Sequence, residues 1–274
     1  MIRETIALTV RELKHWYRAK IQIFMMLIQP IVWLGLFGQA FPSGMLTGTN
    51  PAQTALALNG APNYMSYMSV GMVAVTTLFT CMFAGMSIVW DRRFGFLNKL
   101  RAAPIPRGSI PVSRVMATMT RAVISALMVL LIALIFTHIP GLNGLSVTSN
   151  FGVLNALGML LIMVLLATAF AAIFIAISLT IKTQETLFAV INLLNLPLMF
   201  ASAALFPITS MPDWLQAVAK LNPLTLAVDG MRQLLFANSV GIYPLAVDII
   251  GLLAFSLVLI TIGIVVAMRA LKEK

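Results

Sequence analysis

Uncharged apolar runs of about eighteen or more residues recur along this chain, and nothing constrains its fold more than they do. Each is long enough to cross about 30 Å of hydrocarbon at about 1.5 Å per helical residue. With 60% of 274 residues hydrophobic and only 9% charged, a soluble domain would lack the polar exterior to cover such runs. The fold class is therefore an all-α polytopic membrane protein, a single domain over residues 1–274. Hydropathy and punctuation place six transmembrane helices at about 21–41, 66–90, 115–138, 151–181, 186–206 and 243–268. Pro30 should kink the first of them by removing a backbone donor. The fourth is longer than a crossing needs and should tilt or protrude.

The segments between the runs are equally informative. Residues 1–20 set Ile2, Ile6, Val10, Leu13 and Tyr17 on one helical face, with Arg3, Glu4, Arg11, Lys14 and Arg18 mostly on the others. That pattern predicts an interfacial helix, apolar side down, with Trp16 and Tyr17 in the aromatic belt. Residues 207–240 hold two amphipathic pieces, Asp213–Leu221 and Leu224–Phe236, divided by Asn222-Pro223. Both are too short to span, so they are expected to re-enter the outer leaflet before the last crossing.

Charge sets the orientation. Five Lys or Arg fall in residues 1–20, seven in 92–121, one at Lys182 and three in 269–274. Only Lys220 and Arg232 lie on the other side, which predicts a cell-membrane protein with both termini cytoplasmic. The net charge of +10 thus reads as loop topology and not as a nucleic-acid surface. The single cysteine, Cys81, excludes an internal disulfide. The N-terminus shows no cleavable signal pattern, so the first run is expected to serve as the insertion signal.

Motifs for chemistry are missing. The chain has no G-x-x-x-x-G-K-[ST], no G-x-S-x-G and no Cys/His pair at metal spacing. No catalytic residue, cofactor or metal site of its own is expected. Of eight acidic residues only Asp248 falls inside a predicted crossing, about one turn in, where an interfacial position is expected. An ion-driven carrier usually needs several such intramembrane groups. Two alternatives stay open: an ion-driven carrier, or an intramembrane lipid-modifying enzyme using Asp229, Arg232 and His138 at the outer face. The chain reads as a pathway whose engine lies elsewhere.

The place for that engine to act is the basic loop at 91–112, containing DRRFGFLNKLRAAPIPRGSIP. A short helix at about Arg93–Ala102 would set Phe94, Leu97 and either Leu100 or Arg101 on one side, ready to fill a groove. Arg92, Arg93, Lys99 and Arg101 would form a charged rim around that apolar centre. Pro104 and Pro106 stiffen the return to the third crossing. The plainer reading is a loop that only fixes topology.

Asp91-Arg92-x-x-Gly95-x-x-x-x-Leu100-x-x-x-Pro104 resembles the first cytoplasmic loop signature of type-2 ABC exporter permeases, in particular the daunorubicin/doxorubicin-resistance permease group. Three further stretches agree in order and spacing. These are Gln29-Pro30-Ile31-Val32-Trp33-Leu34, Phe206-Pro207-x-x-x-Met211-Pro212-x-Trp214-Leu215, and Leu221-Asn222-Pro223-Leu224 with Asp229-Gly230-x-Arg232. The resemblance implies a six-span permease that pairs with two ABC ATPase subunits and with a second copy of itself or a paralogous permease. ATP and Mg²⁺ would sit on the ATPases and none on this chain. It further implies a coupling role for Asp91, Arg92, Arg93, Phe94, Gly95, Leu97, Leu100, Arg101 and Pro104. Trp214, Asn222, Pro223, Asp229 and Arg232 would shape the outer re-entrant segment. An amphiphilic drug, lipid or glycan-type cargo is implied, with membrane lipid the other contact and nucleic acid excluded.

Several polar residues in the runs carry two readings. Gln29, Asn192 and Asn195, with Gln22, could line a pathway or act as interhelical hydrogen-bond glue. Met65, Met68, Met72, Met82 and Met86 suit either core packing or an adaptable apolar surface. Arg121 is expected to snorkel at the boundary. Asp229 and Arg232, three apart, could pair on a helix.

Overall fold

A computed structural model describes residues 2–40, 58–95, 106, 108–147, 151–181, 183–236, 239 and 241–272. Among these residues every regular element is helical: nine α-helices and one 3₁₀ turn. They are α1 (Ile2–Arg18), α2 (Lys20–Ala40), α3 (Tyr64–Arg93), α4 (Ser109–Phe136) and α5 (Val153–Thr180). α6 (Gln184–Phe200), the 3₁₀ turn Ile208–Ser210, α7 (Asp213–Leu221), α8 (Pro223–Leu235) and α9 (Leu245–Lys272) complete the chain.

α3 is the axis of the bundle. It is apolar all round, as a helix enclosed on every side must be, and it packs against α2, α4, α5, α6 and α8. Its 30 residues reach about 45 Å, more than the hydrocarbon thickness, so its ends lie beyond the apolar slab. Asn63 fixes its start by accepting the Ser66 N–H at 2.7 Å. Small residues bring its neighbour close: a Cβ at Gly85 would meet the Phe174 carbonyl oxygen at 3.0 Å, so α3 and α5 approach backbone to backbone. α5 in turn packs on α4, α8 and α9.

α2 and α9 close the flanks and turn long apolar faces outward, including Phe24, Met25 and Ile28 on one and Ile250, Leu253 and Leu257 on the other. Water would not tolerate such surfaces, whereas lipid is as apolar as they are. α2 runs through Pro30, which is buried. Met65, Met68, Met72 and Met82 are buried on α3, so core packing claims them.

Five helices are long and apolar enough to cross a membrane: α2, α3, α4, α5 and α9. The expected crossing at 186–206 is instead the 17-residue α6 followed by a turn at 201–206. At about 25 Å it falls short of a full crossing by itself, because the turn at 201–206 ends the helix. The two amphipathic pieces after it appear as α7 and α8, meeting at Asn222-Pro223.

α1 lies on α4, but not with the residues its apolar stripe suggests. Ile2, Ile6, Val10 and Tyr17 stay exposed, while Thr5, Thr9, Glu12 and Trp16 are buried. Trp16 therefore belongs to the protein interior and not to an interfacial belt, since the face at 5, 9, 12 and 16 is the one α4 covers. Thr9 Oγ1 donates to the Ser113 carbonyl at 3.3 Å across that contact.

Candidate functional site

The basic loop springs from the end of α3, and the geometry there is dictated by a left-handed glycine. Helices commonly stop where a residue without Cβ can take positive φ. Gly95 does so, at φ 71°, with its N–H donating to the Arg92 carbonyl at 3.1 Å. Phe94 just before it is exposed, as is Arg93. Most of the helix expected over Arg93–Ala102 falls at 96–105, outside the described residues. Leu97, Leu100, Arg101 and Pro104 lie outside the described residues, as does Lys99.

Asp91 and Arg92, read as parts of a loop, are the last turn of α3 and face inward. Arg92 caps α5: its guanidinium donates to the carbonyls of Leu179 at 2.6 Å and Ile181 at 2.8 Å. Those carbonyls have no partner within their own helix, and a cation suits the negative end of the dipole. Asp91 pairs with Arg114 of α4. Arg114 also donates to Ser87 Oγ at 3.3 Å and to Glu12 Oε2 of α1 at 3.0 Å. Arg121, one face-repeat further along α4, reaches the same Glu12 oxygen at 3.2 Å and the Glu12 carbonyl at 2.8 Å.

One network thus joins α1, α3 and α4 at the root of the basic loop. It contains two carboxylates and two guanidiniums, so the group is neutral as a whole, and Arg11 adds a contact from the exposed side at 3.1 Å. Glu12 and Arg114 are buried, and removing either would leave charge uncompensated at a cost of about 3–5 kcal/mol. Arg121 does not snorkel, because Glu12 holds it inside. Nothing in the local sequence around Glu12, Arg114 or Arg121 announced this cluster. The available signal was weak: Arg114 and Arg121 stand seven apart, on one face of a helix that would otherwise be lipid-like.

The opposite end of α3 carries the other polar cluster. Asn222 caps α8 by accepting the Leu224 N–H at 2.9 Å, and Pro223 fills the first helical position. The same side chain donates to the carbonyls of Leu198 at 2.8 Å and Ala201 at 2.6 Å, which α6 leaves unpaired where it ends. Arg232, fully buried, donates to the carbonyls of Ala203 and Tyr67, each at 2.9 Å, and lies 3.4 Å over the Tyr67 ring. The Asn-Pro…Arg pattern is therefore a clamp on the turn after α6.

Asp229 and Arg232 do not pair. Asp229 accepts Asn59 at 3.1 Å on Oδ1, and the backbone N–H groups of Ile242 at 2.7 Å and Tyr243 at 3.1 Å on Oδ2. Gln233 bridges it, at 3.3 Å, to Asp248 at 2.8 Å. Asp248, in the first turn of α9, is buried because α8 covers that turn. Asn59, Tyr67 and Gln233 were not singled out in the sequence; only tertiary contact brings them here.

The remaining residues are dispersed. Trp214 is exposed on α7. Asn195 is buried and donates to Met82 Sδ at 2.8 Å, whereas Asn192 bonds its own helix at Phe188. Gln29 is partly buried on α2. His138 is exposed and bonds its own helix at Leu134, apart from buried Asp229 and Arg232. No cluster of three His, Cys, Asp or Glu able to hold a metal occurs among the described residues.

A bundle with lipid-compatible flanks and its buried charges gathered at the two ends of one axial helix is a multi-pass integral membrane protein. The ABC-2 type transporter family profile matches residues 3–236, and the chain belongs to that family. It is a transport permease. It is 32% identical over 233 residues to a protein of Porphyra purpurea named as transport permease ycf38, covering 85% of this chain and 74% of that one. A Cyanophora paradoxa protein of the same name is 30% identical, over 84% and 73%. A Mycobacterium tuberculosis protein named as the doxorubicin resistance ABC transporter permease DrrC is 23% identical over 84% and 76%.

Proposed function

We propose that this chain is the membrane-spanning subunit of an ATP-driven exporter that works with two separate ABC ATPase subunits and a second permease, either its own copy or a paralogue. The observation that carries this reading is the Glu12–Arg114–Asp91 network at the root of the 91–112 loop. A force applied to that loop would be transmitted at once to α1, α3 and α4, because the buried ion pairs resist being separated. In this reading α6 with its following turn makes a sixth passage, α7 and α8 re-enter the outer leaflet, and both termini are cytoplasmic.

Differential binding of the ATPases to two arrangements of the loop would supply the energy for switching. The exposed Arg93 and Phe94, followed by Leu97, Leu100 and Arg101, are the groups offered to an ATPase groove. The cargo would be an amphiphile, a class that the drug-resistance name of the Mycobacterium tuberculosis relative also fits. The lipid-enzyme alternative has no support, since Asp229 and Arg232 are engaged in structural contacts and His138 lies apart.

Co-purification and transport test the proposal together. Gly95→Pro and Leu97→Asp are expected to abolish capture of the tagged ATPase and ATP-dependent efflux while the permease remains folded in the membrane. Unchanged capture and efflux would overturn the coupling assignment.

A further inference from the structure

Charge does not balance where α8 meets α9. Asp229 and Asp248 share one donor, Gln233 Nε2, at 3.3 and 2.8 Å, so their Oδ2 atoms stand within about 6 Å of each other. Asp229 is equipped to be an anion, with four N–H donors from Asn59, Ile242, Tyr243 and Gln233. Asp248 is not. Only 1% of it is exposed, Gln233 donates to Oδ2, and Oδ1 is buried with no donor among the described residues. Nor is a cation placed there, among those residues, to offset a second negative charge. α9 packs chiefly on α5 and α8. α5 contains no ionisable side chain, and α8 brings only Asp229 and Arg232. Arg232 is committed to the carbonyls of Ala203 and Tyr67 and to the Tyr67 ring, with Tyr64 stacked beside that ring. Tyr243 meets the pair through its backbone, and Lys220 and Asp213 are exposed on α7. Residues 41–57 and 237–240 contain no ionisable side chain either.

We propose that Asp248 is a proton-binding site, holding one proton on Oδ1 and keeping α8 and α9 joined through Gln233 while that proton is bound. Two carboxylates this close in a water-poor site cannot both stay charged, and a proton is the one cation that needs no cavity. Protonation also turns the orphan oxygen into a donor, and the acceptor it meets is the Asp229 carboxylate. The pair then carries a single negative charge, on the residue that has the donors for it. The partly exposed turn at 241–243 gives the proton a route to the medium. Its loss puts a second charge into the joint, so alkaline conditions loosen the start of α9 from α8. No ATPase contact enters this inference, and failure of ATPase pairing leaves the following measurements unchanged.

The test uses the full chain purified in detergent. Infrared spectroscopy at neutral pH should show the C=O stretch of one protonated carboxyl per chain, which Asp248→Asn removes. Asp213→Asn, at an exposed carboxyl of α7, should leave the band in place. Raising the pH should remove the same band from the unaltered protein, a readout that stands even where the Asp248 variant does not fold. Melting gives a second measurement. Above about pH 4 an aspartate in the unfolded chain ionises while folded Asp248 keeps its proton, so stability falls as pH rises. The wild-type melting temperature should therefore drop by roughly 5 °C or more relative to Asp248→Asn between about pH 5 and about pH 8. An absent band at neutral pH, a band that survives Asp248→Asn, or parallel melting curves would overturn the proposal. So would a band that disappears when sodium replaces choline at fixed pH, which would mark a metal cation as the occupant.

Discussion

Glu12 and Arg114, 102 residues apart in sequence, meet at 3.0 Å and tie the amphipathic N-terminal helix to the helix that leaves the basic loop. Neither is exposed, so their contact is little screened by salt. Through Asp91 it continues to α3, the axis of the bundle. The N-terminal helix is therefore part of the same mechanical unit as the loop.

Glu12→Ala should destabilise the permease by about 3–5 kcal/mol, because Arg121 would be left buried without a counter-charge and Arg114 would keep only Asp91. Glu12→Gln keeps the acceptor oxygen and the shape, and should cost less. Thermal unfolding in detergent ranks the variants. Pairing Glu12→Ala with Arg121→Ala should recover part of the loss, a coupling that a double-mutant cycle measures.

Gly95→Ala should destabilise by about 1 kcal/mol from its positive φ, since no atom of the described residues lies within 4 Å of the added Cβ. Gly95→Asn, which tolerates that conformation better, should be milder. Transport should fall with the rise in strain while the protein still reaches the membrane. Equal behaviour of the two variants would show that the turn is unimportant.

Arg92→Met removes the donors that hold the carbonyls of Leu179 and Ile181. Hydrogen exchange at the end of α5 and in residues 183–187 should accelerate, with about 1–3 kcal/mol of stability lost. Protection unchanged there would count against the capping role.

Arg232→Lys should behave as a severe change despite keeping the charge. A lysine offers no planar group to lie over Tyr67 and cannot spread donors across the carbonyls of Ala203 and Tyr67. A drop in melting temperature close to that of Arg232→Met is expected.

Asp229→Asn and Asp248→Asn should differ in outcome. Asp229 accepts N–H groups on both oxygens, so an amide there turns a donor toward a donor whichever way it rotates, costing about 1–3 kcal/mol. Asp248 has one oxygen, Oδ1, buried with no donor among the described residues, and Asn still offers an oxygen to Gln233. Its variant should melt near the wild-type temperature.

What the sequence determined by itself follows from the solvent. Lipid forces backbone hydrogen bonds inside each segment, so hydropathy and breaker residues located α2, α3, α4, α5 and α9 closely, and Asn222-Pro223 marked the junction of α7 and α8. The amphipathicity of α1 was also legible, because it is a property of one helix, whereas the left-handed turn at Gly95 fell inside a stretch read as helical. Tertiary structure alone decided the partners. The apolar stripe of α1 could not reveal that its polar face, with Glu12 and Trp16, packs on α4. Arg121 turned inward, Asp91 and Arg92 became struts, and Asp229 passed over Arg232 for backbone amides. Each of those choices depends on groups from distant helices arriving within about 3 Å, where an unpaired buried charge or carbonyl is too costly to leave.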